Sequence, residues 1–191
     1  MSSYNLIEEI EKFQDTYYSQ GGGKNIVFKK SQKLECASQI STNFDIQVLL
    51  NKTAYIIQNT NKIFIDYTVF KLYGTPDNYK LIIDRIFSLL LEVINTYGGY
   101  ECHINLNSFT ITAAERYKKI IEMFCSECLQ NTTKYAVYLS KMHIYNSPNM
   151  LENIAKIFMH YIEPSVKTKI EIHNKVNSNE QIRYIHEHGS S

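Results

Sequence analysis

The sequence predicts an α/β fold: a mixed, largely parallel sheet with flanking helices, plus a short N-terminal helix. Three observations predict it. Residues 104–172 read as strand, capped amphipathic helix, strand, Pro-started amphipathic helix, strand, and strands joined through helices pair in parallel by right-handed crossovers. Upstream, β-rich runs separated by Asn-containing turns predict a small antiparallel meander. Between the two, residues 78–97 form a long helix that is apolar over most of its circumference, which requires burial against a sheet.

From the N-terminus, Leu6, Ile7, Ile10, Phe13 and Tyr17 recur at helical spacing, so residues 4–18 form an amphipathic helix ended by Gln20-Gly21-Gly22-Gly23. Residues 1–24 are thus helix and linker, residues 25–176 the main domain, and residues 177–191 a short terminal helix with a frayed tail. Asn25–Asn43 is mixed and reads as a short strand followed by a turn of helix. The meander consists of Ile46–Leu50, Ala54–Gln58 and Ile63–Phe70. Gly74-Thr75-Pro76-Asp77 breaks it, and Tyr97-Gly98-Gly99 stops the long helix, with Gly98 in the left-handed position.

Cys102, Ile104 and Leu106 alternate with His103, Asn105 and Asn107, the period of a strand. Thr112 and Glu115 stand in capping-box spacing at the head of a helix whose apolar face is Ala113, Tyr117, Ile120, Ile121, Phe124 and Cys128. Val137–Tyr145 is the next strand. Ser147-Pro148 starts a further helix with the stripe Met150, Leu151, Ile154, Ile157, Phe158, Tyr161 and Ile162. Pro164 ends it, and Lys169–His173 is the last strand.

At 191 residues with 44% apolar content, the chain can bury one substantial core. Twenty Lys and Arg against nineteen Asp and Glu leave a formal charge of +1, so no long-range field draws in nucleic acid or an anionic membrane. The longest apolar run, Ile86–Leu91, falls well short of the ~20 residues that span a bilayer. Met1–Ile10 lacks the character of a signal peptide, so the expected location is the cytoplasm, peripheral to membranes at most, with Cys36, Cys102, Cys125 and Cys128 reduced.

No catalytic constellation emerges. Cys125-Ser126-Glu127-Cys128 has redox or zinc spacing, but both sulfurs fall late in a helix and no second pair completes a four-ligand site, so ordinary half-buried thiols are expected. Gly21-Gly22-Gly23-Lys24 lacks the spacing of a phosphate cradle. His103, His143, His160 and His173 accompany no nucleophile, and the strand positions of His103 and His143 suit satisfied structural histidines. His186 and His188 read as part of a solvated tail, and Asp66 as an edge-strand carboxylate. Lys118-Lys119 and Lys29, Lys30 and Lys33 read as solvated faces. No metal, cofactor or catalytic residue is expected.

Several pieces together carry a family resemblance: Tyr97-Gly98-Gly99 before a strand, Ile104-Asn105-Leu106-Asn107-Ser108-Phe109, Tyr145-Asn146-Ser147-Pro148, and His160-Tyr161-Ile162-Glu163-Pro164 followed by Lys167-Thr168-Lys169-Ile170. From about residue 53 to residue 174 the chain resembles the CRAL-TRIO or Sec14-like lipid-binding domains. The resemblance implies a sheet with helices on one side and a lipid pocket on the other, closed by a mobile helix at residues 148–162. It implies that Met150, Leu151, Ile154, Ile157 and Phe158 face a lipid, with Tyr67, Phe109 and Ile111 as further pocket residues. The implied function is non-enzymatic binding, transfer or sensing of a phospholipid-like amphipathic small molecule, with transient contact to a membrane surface. The same apolar stripe would also fit a closed core, so a protein-interaction scaffold with a filled pocket and a protein partner stands as the alternative. A STAS-like regulatory domain is a third reading.

Overall fold

The computed structural model describes residues 3–20, 29–148 and 160–189. Its helices are α1 (Ser3–Gln20), α2 (Lys29–Asn43), α3 (Ile46–Thr53), α4 (Tyr67–Tyr73), α5 (Tyr79–Tyr97), α6 (Ile111–Gln130), α7 (Tyr135–Tyr138), α8 (Pro164–Lys167) and α9 (Lys175–His188). The strands β1 (Ala54–Ile56), β2 (Lys62–Asp66), β3 (Tyr100–Asn105), β4 (Leu139–Tyr145) and β5 (Ile170–Ile172) form one sheet in chain order. β1 and β2 pair antiparallel; the remaining neighbours pair parallel. The mixed, largely parallel α/β class read from the sequence is the class of the structure.

The long helix forms as its pattern requires. Ile82, Ile83, Ile86, Phe87, Leu89, Leu90 and Val93 of α5 are buried, and the helix packs on β1, β2, β3 and α6. It stops at Gly98, which adopts φ +75° and donates its N–H to the Ile94 carbonyl at 2.8 Å, a conformation glycine adopts without strain. On the same side, α6 contributes buried Ala113, Ala114, Tyr117 and Ile120. A further helical layer joins at the β1 end: α1 packs on α2, and α2 and α3 pack on α4, with Ile10, Ile40 and Leu49 fully buried. Phe13 meets Phe44 edge-on at 5.7 Å.

The opposite face of the sheet is lined by a regular polar and aromatic array. Register places Phe64, His103, His143 and Glu171 in one cross-strand row and Lys62, Glu101 and Lys141 in the next. Helix α9 lies over this face. The buried Ser178 hydroxyl accepts the Asn146 N–H at 2.8 Å, and His186 meets Phe64 at 4.9 Å and shares a 2.8 Å hydrogen bond with the Tyr55 hydroxyl.

Several expectations are corrected. Ile46–Leu50 is helical, because the Asp45 carboxylate accepts the Gln47 and Val48 N–H groups at 2.8 and 3.4 Å and nucleates α3. Ile63–Phe70 is cut at Asp66, which accepts the Thr68 N–H at 2.8 Å and the Thr68 hydroxyl at 2.7 Å and so caps α4. The meander is therefore only the β1–β2 hairpin, and Asp66 belongs to a strand flanked on both sides. Residues 29–43 are helix throughout. Thr110, with an extended backbone, caps α6 in place of Thr112, accepting the Ala113 N–H at 3.2 Å. β4 begins only at Leu139, after the single turn α7. Pro164 also opens the short helix α8, its fixed φ suiting the first helical position, while residues 149–159 of the helix expected to end at it lie outside the described residues. The tail at His186 and His188 is helical and belongs to α9.

Asp66 also accepts a hydrogen bond from the Asn105 side chain at 3.2 Å, so one carboxylate holds β2, α4 and β3 together. Asp66→Ala is expected to lower stability by about 1–2 kcal/mol in urea melts, with Asp66→Asn recovering part of the loss. The four cysteines are free thiols, and burial pushes Cys102 up to about 12, Cys125 to about 11 and Cys128 to about 12, with Cys36 raised as well. Native protein at pH 8 should therefore be alkylated by iodoacetamide at least about tenfold more slowly than an exposed cysteine peptide, and urea should abolish the difference.

Candidate functional site

Helix α6 is longer than the core it covers. Its buried positions end at Ile120, and none of residues 121–130 is buried, although Ile121, Phe124 and Cys128 continue the apolar stripe. Phe124 stacks on Phe87 of α5 at 5.2 Å, which fixes the rotation of this half of the helix. A groove of about 660 Å³ lies on another face of this half of the helix, lined by Lys119, Glu122, Met123, Cys125, Ser126, Glu127 and Leu129, with His160 and Tyr161 at its rim.

The hydroxyl of Tyr161 donates to the Glu122 carboxylate, and that acceptor raises the phenol above its ordinary range. This bond ties the chain returning from Pro148 to the middle of α6. Polar groups ring the groove: Lys119 lines it, and Glu122 and Glu127 lie 3.8 Å from Lys118 and 3.7 Å from Lys80, respectively. The lining is mixed: Met123, Cys125 and Leu129 stand among side chains of both charges.

Of the residues expected at a site, Tyr67 and Phe109 are buried together, their rings edge-to-face at 4.8 Å, and Tyr117 and Phe70 complete an aromatic cluster. Ile111 is half-buried at the start of α6. Among the described residues these three do not line the groove. Met150, Leu151, Ile154, Ile157 and Phe158 lie outside the described residues. His160 and Lys119, read as unremarkable, are at the groove.

His103, His143 and His173, read separately, stand together on the sheet face under α9. Burial, ahead of the neighbouring histidines, lowers His103 to about 3, so it is a neutral imidazole. Its Nδ1 pairs with the Tyr145 hydroxyl at 2.9 Å, while its Nε2 is buried without a hydrogen bond, so the expected satisfied histidine is satisfied on one side only. The Tyr161–Glu122 bond has no sequence signal, since its partners are 39 residues apart. Among the described residues no helix is long and apolar enough to cross a membrane.

Comparison with known proteins then places the chain. No curated protein matches it. Among solved structures, the crystal structure of Sfh5 is similar with a TM-score of 0.49 and 7% identity, over 86% of this chain and 67% of that one. Residues 79–188, more than half of the sequence, match the CRAL/TRIO domain, a family known for binding and transferring lipids. The chain belongs to the CRAL/TRIO family.

Proposed function

We propose that this chain is a non-enzymatic lipid-binding domain that holds one phospholipid-like amphipathic molecule in the groove beside α6, beneath the segment that follows Pro148. The observation that carries this reading is the groove itself: a cleft along the second half of α6 with Met123, Cys125 and Leu129 among charged neighbours, bounded by His160 and Tyr161 at the far end of the segment proposed as gate. Its volume of about 660 Å³ falls within the range of small-molecule sites, roughly 300–1,000 Å³.

Met150, Leu151, Ile154, Ile157 and Phe158 supply the lipid-facing surface of the gate, and Tyr67, Phe109 and Ile111 form the packed wall behind the N-terminal half of α6. Affinity comes from hydrocarbon burial, at roughly 0.8 kcal/mol per CH2. Lys119 at the groove, with Lys118 close by, selects an anionic or zwitterionic headgroup. Exchange takes place in the cytoplasm at a transiently contacted membrane surface. The tight aromatic packing of Tyr67 and Phe109 favours the rival reading, a scaffold whose interior is filled and whose partner is a protein.

Native mass spectrometry separates the two. Protein purified from cells is expected to carry an adduct of phospholipid mass, reduced at least about tenfold in an Ile154→Asp/Phe158→Asp double variant that keeps its far-ultraviolet dichroism. Absence of any adduct after incubation with mixed phospholipid vesicles supports the scaffold. Tyr161→Phe, which removes the bond to Glu122, is expected to speed exchange of a fluorescent phospholipid several-fold, about what the loss of ~1 kcal/mol of latch energy gives.

A further inference from the structure

The polar face of the sheet carries a pattern that lipid binding leaves unused. Glu101-Cys102-His103 in β3 and Glu171-Ile172-His173 at β5 repeat the same Glu-x-His spacing, on either side of Lys141-Met142-His143-Ile144-Tyr145 in β4. Period two sets the alternate residues on one face, and the parallel register aligns His103 with His143 and His143 with Glu171. Three short sequence fragments thus become one cluster.

The rings are held in a ladder. His103 stacks on His143 at 4.7 Å, His143 on His173 at 5.3 Å, and Tyr145 on His173 at 4.8 Å, with planes within 25° of one another. Nδ1 of His143 lies 3.0 Å from Nε2 of His173 and 3.4 Å from Oε2 of Glu171. Ligand atoms bound to zinc at 2.0–2.1 Å stand about 3.3 Å apart at the corners of a tetrahedron, so both separations are those of a coordination edge. The other oxygen of Glu171, Oε1, accepts a 2.6 Å hydrogen bond from Lys141, which aims Oε2 at the histidines as an outer-shell partner does.

We propose that His143, Glu171 and His173 bind one divalent first-row transition-metal ion, of the zinc type, on the sheet face beside α9. Two imidazole nitrogens and one carboxylate suit zinc, cobalt or nickel better than calcium or magnesium, which take oxygen ligands. The partial exposure of Glu171, 45% at its side chain, leaves a path for the ion and room for water as the fourth ligand. Glu101 and His103 form a second carboxylate–histidine pair, 3.4 Å apart, on the other side of His143. The buried Nε2 of His103, without a hydrogen bond, belongs to this pair and faces the same charge-rich centre. A bound ion would tie β4 to β5, which are otherwise joined by a short parallel pairing.

The test uses the full chain without an affinity tag, stripped with chelator and titrated calorimetrically with zinc chloride, with cobalt(II) absorption as the second readout. One equivalent is expected, with cobalt bands of four-coordinate intensity. Glu171→Gln and His173→Ala should each weaken zinc at least about tenfold while leaving the dichroism unchanged, and Glu101→Gln should change it by less than about threefold. His188→Ala controls for the terminal histidines. Failure to bind zinc or cobalt at micromolar concentration overturns the proposal, as does binding that survives the loss of Glu171 and His173 or that vanishes with His188. Lipid adducts persisting in Glu171→Gln separate this site from the groove.

Discussion

A parallel sheet cannot leave either face to water without exposing strands built for burial, and this constraint organises the whole chain. One face meets it with a dry cover, the apolar side of α5 and the first half of α6. Among the described residues the other face is covered by α9, whose one buried residue is Ser178. A helix with so little apolar surface cannot exclude water by grease, so the groups beneath it must satisfy one another. Most of them do: the Asn146 side chain donates to Asn105 at 2.9 Å and to Asn179 at 3.2 Å, and Lys62 donates to the Gly189 carbonyl at 3.0 Å, whereas Nε2 of His103 has no hydrogen bond. The histidine ladder belongs to the same polar filling. It runs from the inner strands β3 and β4 to the end of the edge strand β5, and flat rings stack well across neighbouring strands.

Much of this was legible in the sequence. The width of the apolar surface on residues 79–97, the glycine at 98 and the strand, helix and strand that follow as far as Tyr145 are local signals, and the described residues form those elements. The family resemblance rested on fragments in that same region, where the match to the family falls. The N-terminal part was less legible because its segments are short. Five residues such as Ile46–Leu50 fit a strand by composition, and a single carboxylate at Asp45 is enough to turn them into helix. Asp66 does the same to the next run, and β-branched residues at its start cannot outweigh a cap at its middle.

The sites were harder to read for a different reason. The Glu-x-His repeats at 101–103 and 171–173 were visible, and period two put each pair on one face. What no local pattern supplies is that β3, β4 and β5 are neighbours in that order with His103 level with His143. Separate histidines looked structural; adjacent ones acquire chemistry. The groove depends on a contact between Glu122 and Tyr161 that only the folded chain creates.

Helix α6 shows how one uninterrupted pattern can serve two ends. Its apolar stripe runs at the same spacing from Ala113 to Cys128, and a helical periodicity carries no mark of where its partner stops. The burial does: Ala113, Ala114, Tyr117 and Ile120 lie inside, whereas Ile121, Met123, Phe124 and Cys128 are only half-covered. The stripe past Ile120 packs on the margin of the core, as Phe124 does on Phe87, whereas Leu129, off the stripe, is 54% exposed at the groove. Had the helix ended a turn after Ile120, Cys128 would no longer cover the edge of the core, and the groove would lose Cys125 and Leu129 from its lining. The later turns thus serve both the core and the groove, and Tyr161 bonds to them through Glu122 while also packing against the core.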